Sequence, residues 1–178
     1  YFSALTAYGV HAYDFKLKKI ASAFIILIMT MPTQVSAVGF LRLMTNMKLT
    51  DTLIPLFLPS IAAPTVYYFM ISYMKSNLPM EIVEAARIDG LSEYGIWARI
   101  ILPLSKPAIA TLCIFTFVNT WNDYMGPMIY LTTDLRKTIQ VGLRRFIQAY
   151  SADYNLIMAA SLCSLLPVTV VFLFLQRY

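Results

Sequence analysis

Residues 154–176 read YNLIMAASLCSLLPVTVVFLFLQ, a stretch without a charged side chain. An α-helix needs about 20 consecutive apolar residues to cross roughly 30 Å of hydrocarbon, and this run is long enough. Two further runs, 20–41 and 52–74, are equally free of charge, and a fourth, 107–131, is interrupted only by Asp123. Lipid offers no partner to an open backbone amide, so such runs must be helices or close into a barrel. Barrel strands alternate polar and apolar residues over about ten positions, and these runs do not. The expected fold is therefore all-α, a polytopic transmembrane helix bundle of about four full spans.

Composition agrees. Of the 178 residues 59% are hydrophobic and only 13% charged, with a mean hydropathy of +0.66; soluble domains carry about 25% charged residues. The net charge of +5 sits in short stretches beside the runs, where anionic head groups attract it, and does not point to nucleic acid. Cys113 and Cys163 fall inside runs without metal-ligand spacing and read as small apolar packing residues. With His11 the only histidine, a metal centre or a Ser-His-Asp triad is hard to build. The opening YFSALTAYGV reads as the end of an earlier span, so one or more spans are expected to precede it.

Between the runs lie connections at 14–19, 42–51, 75–106 and 132–153. One side of the membrane then holds Lys16, Lys18, Lys19, Lys75, Arg87, Arg99, Lys106 and Arg177. The other holds Arg42, Lys48, Arg136, Lys137, Arg144 and Arg145. That slender excess places 75–106 on the cytoplasmic side. Pro32, Pro55, Pro59, Pro64 and Pro167 fall within runs and are expected to kink them, which suits a bundle that changes shape or simply a static packing geometry.

The 75–106 connection is longer and more ordered than a linker requires. Ser76 or Asn77 can cap a helix with Pro79 in its first turn, and Glu81 and Glu84 lie near its positive end. Asp89-Gly90 is a natural left-handed stop, and Ser92 offers a second cap ahead of Glu93. Trp97, Ile100, Ile101 and Leu104 recur at helical spacing, which predicts a short amphipathic helix that Pro103 ends or bends. Ala85-Ala86 forms a small smooth surface. The segment could lie on lipid, act as a catalytic loop, or dock as a rigid knob into a partner. Its acids Glu81, Glu84, Asp89 and Glu93 balance Lys75, Arg87, Arg99 and Lys106, whereas lipid-surface helices are basic. Carboxylates without a histidine, metal cluster or nucleophile make poor chemistry. Docking is the favoured reading.

Glu84-Ala85-Ala86, Asp89-Gly90, Ile100-Ile101-Leu102-Pro103 and Pro107 resemble the EAA motif of ABC importer permeases. Tyr8 to Lys19 (YGVHAYDFKLKK), Trp121-Asn122-Asp123-Tyr124 with Pro127, and Leu166-Pro167 with Phe172 and Gln176-Arg177-Tyr178 resemble further segments of carbohydrate permeases. Together they cover nearly the whole chain, which resembles the MalG-like inner-membrane subunit of the maltose group. One departure is Leu91, where the family pattern often has alanine.

The resemblance implies a type I importer permease fold, MetI-like, in a bacterial or archaeal cytoplasmic membrane. It also implies a second permease subunit, two cytoplasmic ABC ATPase subunits and an extracytoplasmic sugar-binding protein. The chain itself would bind no cofactor and perform no catalysis, ATP and magnesium being used by the ATPases. Glu84, Ala85, Ala86, Asp89, Gly90, Trp97 and Pro103 would form the coupling segment that sits in an ATPase cleft. Thr116, Asn119 and Asn122 are polar side chains within a span and so candidates for the translocation path, or for hydrogen bonds to the partner permease. The resemblance places the specific sugar site mainly in that partner. The outer connection 132–153, with Arg144, Gln148 and Tyr150, would touch the binding protein, or stay a solvated loop. Competing classes are a permease for another solute, a non-transporting membrane subunit, and an intramembrane enzyme, for which no nucleophile, metal set or acid pair is found within the spans.

Overall fold

The structure is a computed structural model and describes residues 1–149 and 154–176. These residues are helical with no strand among them. In chain order the helices are α1 (Phe2–Ala12), α2 (Lys18–Met29), α3 (Thr33–Asn46), α4 (Ile54–Phe57) and α5 (Pro64–Asn77). There follow α6 (Met80–Ile88), α7 (Glu93–Ile96), a π turn (Trp97–Ile101), α8 (Leu102–Leu104), α9 (Lys106–Asn122), α10 (Met125–Tyr130), α11 (Ile139–Ala149) and α12 (Tyr154–Leu175). Ile54–Asn77 and Tyr154–Leu175 are each long and apolar enough to cross a membrane. Two further runs qualify when consecutive helices are counted together, Lys18–Met29 with Thr33–Asn46 and Glu93–Leu104 with Lys106–Asn122. None of the described residues of α12 is buried in the chain, as suits a helix whose apolar side chains meet lipid or another subunit.

The chain forms two compact units. In the first (1–33 and 59–109), α1 packs along α5. Ser3, Ala4, Ala7, Tyr8, Val10 and Ala12 are buried on α1, against Tyr67, Met70, Ile71 and Met74 on α5. Lipid is as apolar as these side chains, so helices in it associate by packing, and small residues let the backbones approach. Two polar residues of α1 tie down both ends of α5. Ser3 Oγ accepts from the Ala63 amide at 2.9 Å, just before Pro64 opens α5, and His11 Nε2 lies 3.1 Å from the Leu78 carbonyl just past its end. The Ser22 and Tyr67 hydroxyls, 3.1 Å apart, add α2 to the same pair.

In the second unit (34–58 and 110–178), α4 packs on α10 and α11 on α12. Trp121 Nε1 on α9 donates to the Ser164 carbonyl at 3.0 Å, in the turn of α12 before Pro167. The carbonyl that Pro167 leaves without an amide four residues on is that of Cys163, one residue earlier in the same turn.

Four expectations are corrected. The span over 20–41 is two helices, α2 and α3. Thr30 and Met31 make tight backbone bonds to Leu27 and Ile28, the Thr30 hydroxyl donates to Leu27 O, and Pro32 has no amide to continue the ladder. The run over 107–131 stops at Asn122, and α10 is separate. Its entry is capped by Asp123, whose Oδ1 accepts from the Gly126 amide at 3.2 Å. The 132–153 connection is no loop for most of its described length, since 139–149 is the helix α11. Cys113 and Cys163 are both exposed on the chain rather than packed in its core.

Candidate functional site

The polar connection folds as a compact projection in the first unit. α6 starts after Pro79, whose fixed backbone suits a helix entry, with Glu81 in its first turn and Arg87 in its last, each complementing the helix dipole. Neither Ser76 nor Asn77 caps it. Both residues belong to α5, and the Asn77 amide donates back to Tyr73 O at 3.0 Å. α6 ends as the sequence predicts. Gly90 adopts φ of +79°, its amide donates to Arg87 O, and the Leu91 amide donates to Ala86 O. This is the two-bond Schellman closure, which needs a left-handed residue at its centre. Leu91 takes the position where such a motif carries an apolar contact, and its Cδ2 lies 3.5 Å from where a Cβ on Gly95 would be.

Ser92 then caps α7, its Oγ accepting from the Gly95 amide at 3.2 Å. Helical conformation runs on through Leu104 by way of the π turn, where the Leu102 amide reaches back to Trp97 O. Pro103 therefore lies inside the helical run. It has no amide for the Arg99 carbonyl, and the wider turn redistributes the bonds before it. The buried stripe is consequently Ile96, Trp97, Ile101 and Ser105, while Leu104 is exposed and Ile100 only half-buried.

Of the predicted coupling residues, Glu84, Ala85, Asp89, Gly90 and Pro103 are exposed, whereas Ala86 and Trp97 are buried. Only Ala85 of the alanine pair is therefore open surface; Ala86 packs inward with Val83. Trp97 lies against the rings of Tyr8 (5.5 Å) and Tyr1 (6.3 Å). Sequence reasoning missed Ile88, which is 86% exposed one turn after Glu84 and Ala85. Ile88 adds an apolar side chain to the exposed acidic face of α6.

It also missed an ion-pair cluster on the inner side of the projection. Arg87 Nε donates to Glu93 Oε1 at 2.6 Å and its Nη2 to Oε2 at 3.3 Å, a bidentate pair across the Gly90 turn. The Tyr8 hydroxyl donates to Glu93 Oε2 at 3.3 Å, and the Arg87 guanidinium stands 5.3 Å from the Tyr13 ring centre. Arg87, then Tyr13, hold the Glu93 carboxyl below the usual carboxylate range.

In the second unit, Thr116, Asn119 and Asn122 are all exposed on α9, at spacings that put them on one face. Asn122 Oδ1 accepts from Gln140 Nε2 at 3.4 Å. Arg144 stacks 5.2 Å from the Tyr124 ring centre and lines a cleft with Met128, Leu131, Lys137 and Val141. Gln148 belongs to the backbone of α11, and Tyr150 lies outside the described residues. Asp51 staples two connections together. Its carboxylate accepts from the Thr132 and Thr133 amides (2.9 Å each) and the Thr133 hydroxyl (2.6 Å), and Arg136 donates to its carbonyl. These donors, the Thr133 hydroxyl foremost, hold the Asp51 carboxyl well below the usual range.

A depressed carboxyl contributes stability above its unfolded pKa and loses it as pH falls through the lower folded value. The staple should therefore stay shut throughout neutral and mildly acidic pH. Asp51→Ala should raise tryptic cleavage at Arg136 and Lys137 several-fold in the full-length protein, whereas the wild type should show no change in susceptibility across that range once protease activity is corrected for. Equal cleavage of variant and wild type would remove the staple from the account.

Residues 2–178 match the family model described as binding-protein-dependent transport system inner membrane component. The chain is 33% identical over 177 residues to the arabinooligosaccharides transport system permease protein AraQ of Halalkalibacterium halodurans, covering 99% of this chain and 63% of that protein. It is 35% identical to the melibiose/raffinose/stachyose import permease protein MelC of Bacillus subtilis, covering 99% and 65%. It is 33% identical to the sn-glycerol-3-phosphate transport system permease protein UgpE of Yersinia pestis, covering 99% and 63%. The chain thus spans 63 to 65% of the length of these relatives. A solved bacterial ABC transporter involved in import of the acidic polysaccharide alginate superposes with a TM-score of 0.83 over 98% of this chain and 66% of its own, at 21% identity, which shows a shared fold. A capped, turn-closed projection set among apolar helices, the fold match and the family match over nearly every residue lead to one conclusion: the chain belongs to the binding-protein-dependent transport system inner membrane component family.

Proposed function

We propose that the chain is a permease subunit of an ATP-driven, binding-protein-dependent carbohydrate importer. The observation that carries this reading is the 75–106 projection, which closes on itself through the Gly90 turn and leaves Glu84, Ala85, Ile88 and Asp89 on its exposed surface. A stiff projection with an acidic and aliphatic face is suited to docking and to passing on displacement. Its partner is one of two cytoplasmic ATPase subunits, in which ATP and magnesium are used; this chain catalyses nothing. Closure of the ATPases drives the projection, and the helix bundle, completed by a second permease subunit, turns its access from one side to the other. An extracytoplasmic binding protein delivers the sugar, with α11 and Arg144 in the segment that meets it. Thr116, Asn119 and Asn122 on the exposed face of α9 line the path or bond to the partner permease.

The relatives named for arabinooligosaccharides and for melibiose, raffinose and stachyose support an oligosaccharide as the solute. The relative named for sn-glycerol-3-phosphate favours a second reading, a phosphorylated polyol. Proteoliposomes holding the full-length chain with its partner permease and ATPases, given binding protein and labelled solute, separate the two. ATP-dependent uptake of oligosaccharide is expected. Uptake of glycerol phosphate alone would select the second reading, and failure of any ATPase to copurify would defeat both.

A further inference from the structure

The Arg87–Glu93 cluster is not part of the docking face. Both side chains are partly shielded, at 35% and 42% exposure, and they turn toward α1. Glu93 receives the Tyr8 hydroxyl from α1. Arg87 stacks on Tyr13, just past the end of α1, and its Nη2 reaches the Ala12 carbonyl at 3.5 Å. The two residues therefore do two things at once. They close the Gly90 turn from the side, one charge on the last turn of α6 and the other on the first turn of α7. They also fasten that turn to a helix more than seventy residues away in sequence.

Two covalent routes leave the projection, the two-residue link of Leu78 and Pro79 back to α5 and a softer one beyond α7. The softer one runs through the π turn at Trp97–Ile101 and past Pro103, where one backbone bond is missing and the turn is widened. A push delivered at Glu84 and Ile88 is partly absorbed by bending there. The lateral route consists of the Tyr8–Glu93 bond at 3.3 Å, the Arg87–Ala12 carbonyl contact at 3.5 Å and the stacking of Arg87 on Tyr13, all held in place by the bidentate Arg87–Glu93 pair, and it ends on α1, which packs along α5. We propose that Arg87 and Glu93 are a positioning pair that locks the coupling projection to the end of α1, so that its displacement is carried into the α1–α5 pair. This rests on the importer reading above.

The test uses the complete importer with the full-length chain. Arg87→Glu, Glu93→Arg and the double exchange are compared for ATPase copurification, binding-protein-stimulated ATP hydrolysis, and sugar transported per ATP consumed. The single reversals should keep their ATPases and still hydrolyse ATP, while sugar per ATP falls by roughly fivefold. The double exchange restores the charge pair across the Gly90 turn but not the links of Arg87 to the Ala12 carbonyl and the Tyr13 ring, so it should recover only part of that loss. A residue that only stabilised the fold would lower abundance and leave sugar per ATP unchanged. If the reversals fail to accumulate, Arg87→Lys and Tyr8→Phe decide the question. Each keeps the packing and weakens one link, and each should lower sugar per ATP. Wild-type ratios in these variants, or a well-accumulated exchange that recovers the full wild-type ratio, would overturn the proposal. A wild-type complex without ATP-driven uptake would instead overturn the importer reading.

Discussion

Replacing Gly90 with valine is expected to cut ATP-driven uptake by roughly tenfold while the protein still inserts at near wild-type abundance. A Cβ at this position meets nothing within 4 Å, so the effect is not a clash. It comes from the backbone. Gly90 sits at φ +79°, where an L-residue costs about 1–2 kcal/mol and a β-branched one more. The two bonds of the Schellman closure, Gly90 to Arg87 and Leu91 to Ala86, exist only in that conformation. Each about 1.4 kcal/mol shifted toward other turns lowers the correctly shaped fraction relative to the rest tenfold. Asparagine tolerates the left-handed region, so Gly90→Asn should keep most of the uptake, and Gly90→Asp should fall between the two. The check is initial uptake in vesicles normalised to membrane content, with ATPase copurification measured alongside. Equal uptake by the valine and asparagine variants would show that the turn's handedness does not matter.

That turn was legible because its signals are local. Asp89-Gly90 followed by Ser92 states a stop and a restart within a few residues, and the structure shows both. The apolar runs were legible for a similar reason, since hydropathy sums over a window and does not depend on neighbours far away. Three features were not. Hydropathy cannot say that Thr30–Pro32 breaks a run in two, because the break depends on where a hydroxyl and two amides find acceptors. The stripe read as Trp97, Ile100, Ile101 and Leu104 assumed a regular α-helix. A π turn carries more residues per turn, and the buried positions fall instead at Trp97, Ile101 and Ser105, four apart. The Arg87–Glu93 cluster joins residues across a turn and then to residues 8 and 13, a relation no local pattern contains. α11 is a different case. Ile139, Leu143 and Phe146 recur at helical spacing between Gln140, Arg144 and Gln148, so its amphipathic pattern was present, though the segment was read only as a connection between spans.

The second large effect is expected at Trp97. Its side chain is 1% exposed, held between the rings of Tyr8 and Tyr1 and flanked by buried Ile96 and Ile101. It is the largest fully buried side chain described and joins the π turn to α1. Truncating a buried tryptophan to alanine costs about 3–5 kcal/mol, because the cavity left behind collapses only in part. Trp97→Ala should therefore lower the thermal midpoint of the solubilised full-length protein by on the order of 10 °C and reduce its abundance in the membrane. Phenylalanine should behave quite differently. Trp97 Nε1 is buried and has no hydrogen-bond partner among the described residues, so the indole carries an unsatisfied donor. Trp97→Phe removes that donor, leaves no orphaned acceptor, and keeps an aromatic ring against Tyr8. Its midpoint should stay within a few degrees of wild type despite the smaller ring. Midpoints read by size-exclusion recovery after heating would check both variants. A phenylalanine variant as damaged as the alanine one would mean that the indole nitrogen has an acceptor in the full-length protein, and that Trp97 is held by a polar contact as well as by packing.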